Sequence, residues 1–357
     1  MNAPFASPEV SIRPLTVRAA DLADPQECAR VEAFASGNGG SVFHRPAWLL
    51  AVERGTGNAA RALLAERGGQ IAGYLPLSEI HSPLFGRVLA SSGFAVEGGI
   101  LACDPAAARI LAKGAQELAE RLSCTTVELR GGPVPDGWEL RRESHCGFVA
   151  PLAADDAAQL LAIPRKQRAE VRRGLGHAMK VTIGRAESDR AAHYAVYAQS
   201  VRNLGTPVFP RSLFDAVMDA LDADILTVWR EGEPLSSVLS LYHAGAVMPY
   251  WGGGIAAARH WRANDVMYYA LMNHARARGC DRFDFGRSKT GSGAYHFKRN
   301  WGFEPQPLSY GVWTAPGHAR RDADPTSAKH AARIALWKKL PLPVANRLGP
   351  LIARGLG

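Results

Sequence analysis

"FDFGRSKTGSGAYHFKRNWGFEPQPLSY", residues 283–310, is the stretch on which the reading of this 357-residue chain turns. It opens as a short buried strand ending at Asp284. It then passes through a loop rich in glycine and cations, enters a helix at "SGAYHFKRNWG", and closes on a strand, "PQPLSYGVW". From 285 to 305 it holds two Lys, two Arg and four Gly, with no acidic residue before Glu304. Such a loop invites comparison with a phosphate-binding P-loop, which needs G-x-x-x-x-G-K-[ST]. Gly286 and Gly291 have the spacing, but Ser292 and Gly293 follow where Lys and Ser/Thr should stand. That mechanism is excluded, and the meaning of the loop depends on what surrounds it.

Working outward, the second half reads as a repeating order of elements. "KVTIGRA" alternates like a strand, "SDRAAHYAVYAQSVRNLG" reads as a helix opening on a Ser/Asp cap, and "FPRSLFDAVMDAL" as a second helix. Three strands follow through "DILTVWREGEPLSSVLSLYHAGAVMPYWGGG", with turns at Glu231-Gly232 and Ala244-Gly245. "ANDVMYYALMNHARARG" is a helix expected to be capped at Asn264 or Asp265 and ended by Gly279. The first half repeats the plan: a strand in "VSIRPLTV", helices in "DPQECARVEAFAS" and "RPAWLLAVERG", a hairpin in "AARALLAERGGQIAGYLPLSEI", then further strand, a helix from Asp104 and the strand "TTVELRG". Corresponding landmarks recur at a nearly constant offset, which indicates a structural duplication despite poor residue identity. The expected division is an N-terminal domain over 1–153, a C-terminal domain carrying the main site over 154–315, and a basic amphipathic tail over 316–357.

This order resembles that of GNAT acyltransferases, and "YHFKRNWGFEPQPLSY" resembles their C-terminal helix, Gly-Phe and final strand. Tandem GNAT-like halves resemble the FemAB-like peptidyltransferases. "VRNLGTPVFPRSLF", "YWGGG", "FDFGRSKTGSGAYHFKRNWGFEPQPL" and "LWKKLPLPVANRLGP" look like the branch associated with exosortase/PEP-CTERM systems. The resemblance implies an α/β (α+β) fold of two tandem GNAT-like domains, each a mixed central sheet flanked by helices, followed by a helical tail. It implies an enzyme that forms an amide by attack of an amine on an activated acyl or aminoacyl donor, on a cell-envelope or exopolysaccharide precursor. Aminoacyl-tRNA or acyl-CoA would be the co-substrate. In the family pattern the Lys of the Phe297-Lys298 pair belongs to the transfer site.

The residues themselves bear on that chemistry. Asp284 ends a strand, so Arg287 and Lys289 emerge at its C-terminal edge, where open α/β sheets bind ligands. Lys298, flanked by Phe297 and Trp301, is either a partly desolvated stabiliser of a developing oxyanion or a Lys whose stem covers apolar surface. Tyr295 shares the same helix. In "PYWGGG" (249–254) the glycines permit close approach of a peptide-like substrate, and Tyr250 adjoins them. Asp284, Tyr250 and Lys298 are the catalytic candidates. Arg165, Arg168 and Arg172 recur at three- and four-residue spacing on one helical face, which either is solvated or grips phosphate. Where CoA-dependent GNAT enzymes carry [RQ]-x-x-G-x-[GA], this chain has "RHWRAN", 259–264; Arg259 is kept, but Arg262 and Asn264 replace both small residues. That lowers acetyl-CoA and raises an aminoacyl-tRNA or another acyl carrier.

Composition limits the alternatives. The net charge of +9 is concentrated, with six Lys/Arg against one Glu over 165–180 and eight against two Asp over 316–357. This points to a polyanionic ligand or surface. Five unpaired-looking cysteines with no C-x-x-C, no metal-ligand constellation and no signal-like start lead to the expectation of a cytoplasmic enzyme, peripheral at the inner face of the membrane if the tail binds lipid. In that tail Ile334, Trp337 and Leu340 lie near one side of a short helix with Arg333, Lys338 and Lys339 nearby. This side either lies in an anionic interface or docks onto the protein. A non-catalytic RNA- or membrane-binding scaffold is the reading of another class; the basic run at 165–180 lacks the interleaved aromatics of a stacking platform.

Overall fold

Two hairpins of the same kind set the framework. Gly68-Gly69 joins the strands Ala59–Arg67 and Gln70–Ser82, and Glu231-Gly232 joins Ala223–Arg230 and Glu233–His243. Both central residues of each turn are left-handed, with φ 59° and 79° in the first and 52° and 83° in the second. This is the type I′ geometry whose twist matches paired strands. The structure, a computed structural model, describes residues 14–319 and 331–357.

Around these hairpins stand two sheets of the same design. In the first the order is Leu15–Ala19, Ala59–Arg67, Gln70–Ser82, Gly86–Ser91, Thr126–Arg130, Tyr310–Thr314 and Glu139–Arg141, with Leu101–Ala102 paired beside the third strand. In the second it is Lys180–Gly184, Ala223–Arg230, Glu233–His243, Ala246–Gly254, Arg282–Asp284 and Val149–Pro151. Neighbours are antiparallel except for one pair in each sheet, Gly86–Ser91 with Thr126–Arg130 and Ala246–Gly254 with Arg282–Asp284. Asp24, Asp104 and Ser292 cap their helices with side-chain oxygens, and Pro25 and Pro105 take the first turn.

The sheets exchange strands, which corrects the placement of the last one. Tyr310–Thr314, read from sequence as closing the second half, pairs with Thr126–Arg130 and Glu139–Arg141 of the first sheet. In return Val149–Pro151 pairs with Arg282–Asp284 of the second. A three-stranded sheet of Ser288–Lys289, His145–Gly147 and Gln306–Pro307 stitches the crossing. A cut at 153/154 would therefore divide the chain but not the sheets. A further correction concerns the helix Ala263–Ala277. Arg262, left-handed at φ 59°, is its cap residue, while Asn264 and Asp265 lie inside the first turn.

Each sheet has its own core, and a third core joins them. In the joining core Phe43, Trp48 and Val52 of the first half meet Tyr197, Phe214 and Trp251 of the second. Gly55 permits this contact: a Cβ there would run into the backbone of Leu213 on the helix Arg211–Ala220. Among the described residues no helix is long and apolar enough to cross a membrane.

Candidate active site

Parallel pairing between Ala246–Gly254 and Arg282–Asp284 covers only Ala246↔Arg282 and Val247↔Phe283, after which the strands part. The sequence explains the parting. Pro249 has no N–H to offer a neighbour, and the register with Glu233–His243 shifts between Leu239 and Ser240, which face Trp251 and Pro249 and leave Tyr250 as the extra residue. The bulge turns Tyr250 into the gap. There a cavity of about 380 Å³ opens, with Pro249 to Gly252 on one side and Phe285 to Ser288 on the other. Tyr268, Ala294 and Lys298 also line it, with Phe94, Val96 and Arg130 from the first half and Leu356 and Gly357 from the tail.

Lys298 is the decisive side chain. It is 9% exposed, on the helix Gly293–Asn300 that Ser292 caps. Its Nζ donates to the carbonyls of Gly286 (3.1 Å) and Arg287 (2.9 Å). An ammonium has three protons, so one remains for whatever occupies the cavity. Burial pushes the Lys298 pKa down to about 8; Asp284 opposes this and Arg287 adds to it. The glycine-rich loop thus holds this ammonium by its carbonyls.

Carboxylates lie within electrostatic reach. Asp284 accepts the Gly286 N–H at 2.8 Å, and burial pushes its pKa up against the pull of that bond and of Lys298. Glu97 is also raised, by desolvation and by the charge of Asp284, although its side chain is open to solvent. Arg287 lies deep in the molecule yet exposed, because it faces the cavity; its Nη1 donates to Tyr310 Oη at 3.0 Å, and Tyr310 donates to the Val96 carbonyl at 3.3 Å. Tyr250 donates to the Phe94 carbonyl, and burial raises its pKa. Arg130 donates to the carbonyls of Ala95 and Gly357, both at 3.2 Å, and pairs with Glu128.

Of the residues singled out in the sequence, Lys298, Asp284, Tyr250 and Arg287 come together here. Lys289 does not line the cavity: it is exposed and paired in register with His145. Tyr295 packs on Phe148, while Phe297 and Trp301 join Tyr268 and Phe285 in an aromatic cluster behind Lys298. The ammonium itself lies 5.4 Å from the Phe148 ring centroid and 5.6 Å from that of Phe285. Arg165 and Arg172 are exposed on the helix Arg165–Leu175, and Arg168 donates to the Leu161 carbonyl at 3.0 Å, away from the cavity. Arg259 is exposed, and its carbonyl accepts from Arg262. Sequence reading missed Glu97, Arg130, Phe94, Val96 and the tail end. Glu97 stands before Gly98-Gly99, and an acid beside two glycines is the available signal.

The start of the helix Ala263–Ala277, where a pyrophosphate cradle would lie, is filled by the protein itself. Gln167 donates to Asp265 at 2.6 Å, Arg262 pairs with Glu170, and burial pushes Asp265 up to about 6. Asn264 Oδ1 is buried against Gly254 with no partner among the described residues. A second recess of similar volume, about 380 Å³, lies at the matching helix start of the first half. There Asp104 accepts from Ala107 N–H and pairs with Arg67, so that anion-binding end is also closed.

Residues 165–299 match the family of the acetyltransferase (GNAT) domain. The fold is that of tandem GNAT proteins. FemX superposes with a TM-score of 0.63 at 16% identity, covering 80% of this chain and 95% of that one. The tandem GNAT protein of the clavulanic acid biosynthesis pathway gives 0.58 at 11%, covering 86% and 100%. L-PGS from Bacillus licheniformis gives 0.54 at 13%, covering 94% and 98%. Among curated proteins no sequence match was found. In this chain the cavity lies at the splayed strands of the second sheet, inside the matched range but for its first-half and tail walls.

Proposed function

We propose that this protein transfers an acyl or aminoacyl group to an amine in the Lys298 cavity. The observation that carries the reading is the ammonium of Lys298, fixed by two loop carbonyls at the splay with one proton left over. When an amine attacks an activated ester or thioester, charge gathers on the carbonyl oxygen. A preorganised donor in a water-poor site stabilises that charge without reorganising. The attacking amine gives up a proton to a nearby carboxylate, which returns it to the carrier's hydroxyl or thiol as the old ester or thioester bond breaks and that group departs. Asp284, with Glu97 as an auxiliary, fills that role. Tyr250 and Arg287 orient the reacting groups from opposite walls.

The donor is proposed to be an aminoacyl-tRNA rather than acetyl-CoA. Supporting this, the carboxyl of Asp265 stands where a pyrophosphate would bind, and Gln167 and the Arg262–Glu170 pair take up space there. The acceptor is proposed to be an amine on a cell-envelope or exopolysaccharide precursor, on the strength of the sequence resemblance, with the enzyme on the cytoplasmic side. The Arg165/Arg168/Arg172 face would then serve the carrier's phosphates, outside the cavity. An acyl-CoA bound by another route, with Arg259 at its phosphates, is the second reading.

The test is transfer of label to an amine acceptor from charged tRNA and, separately, from acyl-CoA, with and without RNase. Transfer from charged tRNA that RNase abolishes is the expected result. RNase-resistant transfer from acyl-CoA would move the assignment to the second reading. Full activity in Lys298→Met would remove the proposed mechanism.

A further inference from the structure

We infer that the outer face of the helix Leu342–Ala353 is a docking surface for an anionic bilayer, and that it sets the mouth of the Lys298 cavity beside lipid. The second clause rests on the acyl-transfer reading and adds that the acceptor amine is membrane-linked; the first clause does not depend on it.

Beyond Leu342, which packs on the joining core, the helix turns small residues inward and most of its large ones outward. Ala345, Gly349 and Ala353, four residues apart, are buried against the body, and a Cβ on Gly349 would come within 2.9 Å of the Val208 backbone nitrogen. The Arg354 carbonyl accepts from Asn58 Nδ2 at 2.9 Å. Val344, Leu348 and Leu351, at helical spacing on the opposite side, are 42%, 42% and 60% exposed. A helix that only needed to dock would turn Leu348 and Leu351 inward as well.

Further exposed leucines stand on the segments that pack beside the tail. Leu336 is exposed on the helix Ala331–Lys339, Leu204 is exposed beside Gly205, on which Ile334 packs, and Leu84 is exposed in the turn after Ser82, which Gly355 touches. Single exposed leucines mean little, but three large aliphatic residues at helical spacing on one face of one helix mark an interaction site.

Charge selects the partner. Residues 331–357 carry five Lys/Arg and no Asp or Glu. Lys338, Lys339, Arg347 and Arg354 are exposed beside the aliphatic stripe. A protein partner's hot spot would call for aromatic anchors at the centre of the face, and the outward stripe has none. Aliphatic side chains flanked by cations of one sign suit a helix lying flat at an anionic lipid surface. The location adds consequence: Leu356 and Gly357, which line the cavity, follow Leu351 by five and six residues. Even a fully extended chain of that length spans only about 20 Å.

The test uses the full chain and vesicles of phosphatidylglycerol mixed with phosphatidylcholine, against phosphatidylcholine alone, in flotation. The parent is expected to float with the anionic vesicles at low salt and to be released as salt rises. The double change Leu348→Asp with Leu351→Asp should lower the partition coefficient by roughly tenfold or more, since it removes apolar burial and adds charge repelled by the surface. Both residues are exposed, so its melting curve and its turnover on a water-soluble acceptor should match the parent. Equal flotation of parent and variant, or no flotation of the parent, overturns the inference. A concentration-dependent dimer that the variant lacks would instead assign this face to a second copy. Vesicle binding without any acyl transfer would leave the dock standing and sink the acyl-transfer reading; transfer without vesicle binding does the reverse.

Discussion

The two sheets part at the same place and use the gap differently. In the second sheet the gap after Val247↔Phe283 is open and becomes the cavity. In the first, the gap beyond Ala90↔Glu128 is filled by the chain from 92 to 100. There Gly99 donates to the Arg130 carbonyl at 2.8 Å, and Arg130 N–H donates to Ser91 Oγ at 2.7 Å. A Cβ on Gly99 would overlap the Gly131 carbonyl. The filling segment is bent through left-handed Ser92 (φ 48°) and Phe94 (φ 59°), an uncommon state for a bulky residue. Its carbonyls at Phe94 and Val96 accept from Tyr250 and Tyr310. In one half the gap is filled, and the filling backbone walls the gap of the other. A duplicated fold can keep one gap open by filling the other.

The contrast should break at its glycines first. Gly99→Ala is expected to destabilise by about 3 kcal/mol or more, because the clash is with fixed backbone. Gly286→Ala, at φ 68° with nothing within 4 Å, should cost only about 1 kcal/mol, the usual penalty for a side chain in that conformation. Urea titration of both variants reads the difference, and equal losses would refute a filled and an open gap.

Next comes Lys298→Met, which should lower turnover on the order of 10²-fold, the cost of losing one oxyanion donor. Its melting temperature should move by no more than about 3 °C, since relief of the buried ammonium offsets the two carbonyls left unpaired. A collapse in stability would make Lys298 a structural residue.

The pH profile sharpens the role. With the Lys298 pKa lowered to about 8, the ammonium is present below that pH and lost above it. As an oxyanion donor, it should make kcat fall above about pH 8 with a limiting slope near tenfold per unit. A rise through the same range would mean that Lys298 acts as a base instead.

The smallest effect belongs to the closed anion-binding end. Burial raises the folded pKa of Asp265 from its usual 3.8 to about 6, so the ionised group destabilises the fold at pH 7. Asp265→Asn should stabilise by about 1 kcal/mol at pH 7. That gain should shrink as pH falls from 6 and vanish below the unfolded value, where the native and unfolded carboxyls are both protonated. Denaturant melts across pH 3 to 8 would show whether the gain follows this course.

Sequence alone determined what local chemistry can determine. Type I′ turns need residues tolerant of positive φ, helix starts need Asp or Ser beside Pro, and period-two alternation marks strands; these are short-range constraints written in adjacent residues. The repeated order of elements was legible for that reason, while the Phe297-Lys298 pair stood out through the family resemblance and the loop of Arg287 through its glycines and cations. The exchange of Tyr310–Thr314 for Val149–Pro151 was not, because an antiparallel edge accepts any strand of suitable pattern and only assembly of both sheets selects the partner. Nor did a run of basic residues reveal that Arg165 and Arg172 face solvent while Arg287 faces a cavity. The role of the segment 92–100 depended on contacts 150 or more residues away, as did the meeting of Arg130 with Gly357. Such pairings are set by the packing of the two halves through Trp48, Phe214 and Trp251, which no local pattern encodes. Tertiary structure alone decided which of two equivalent gaps stayed open.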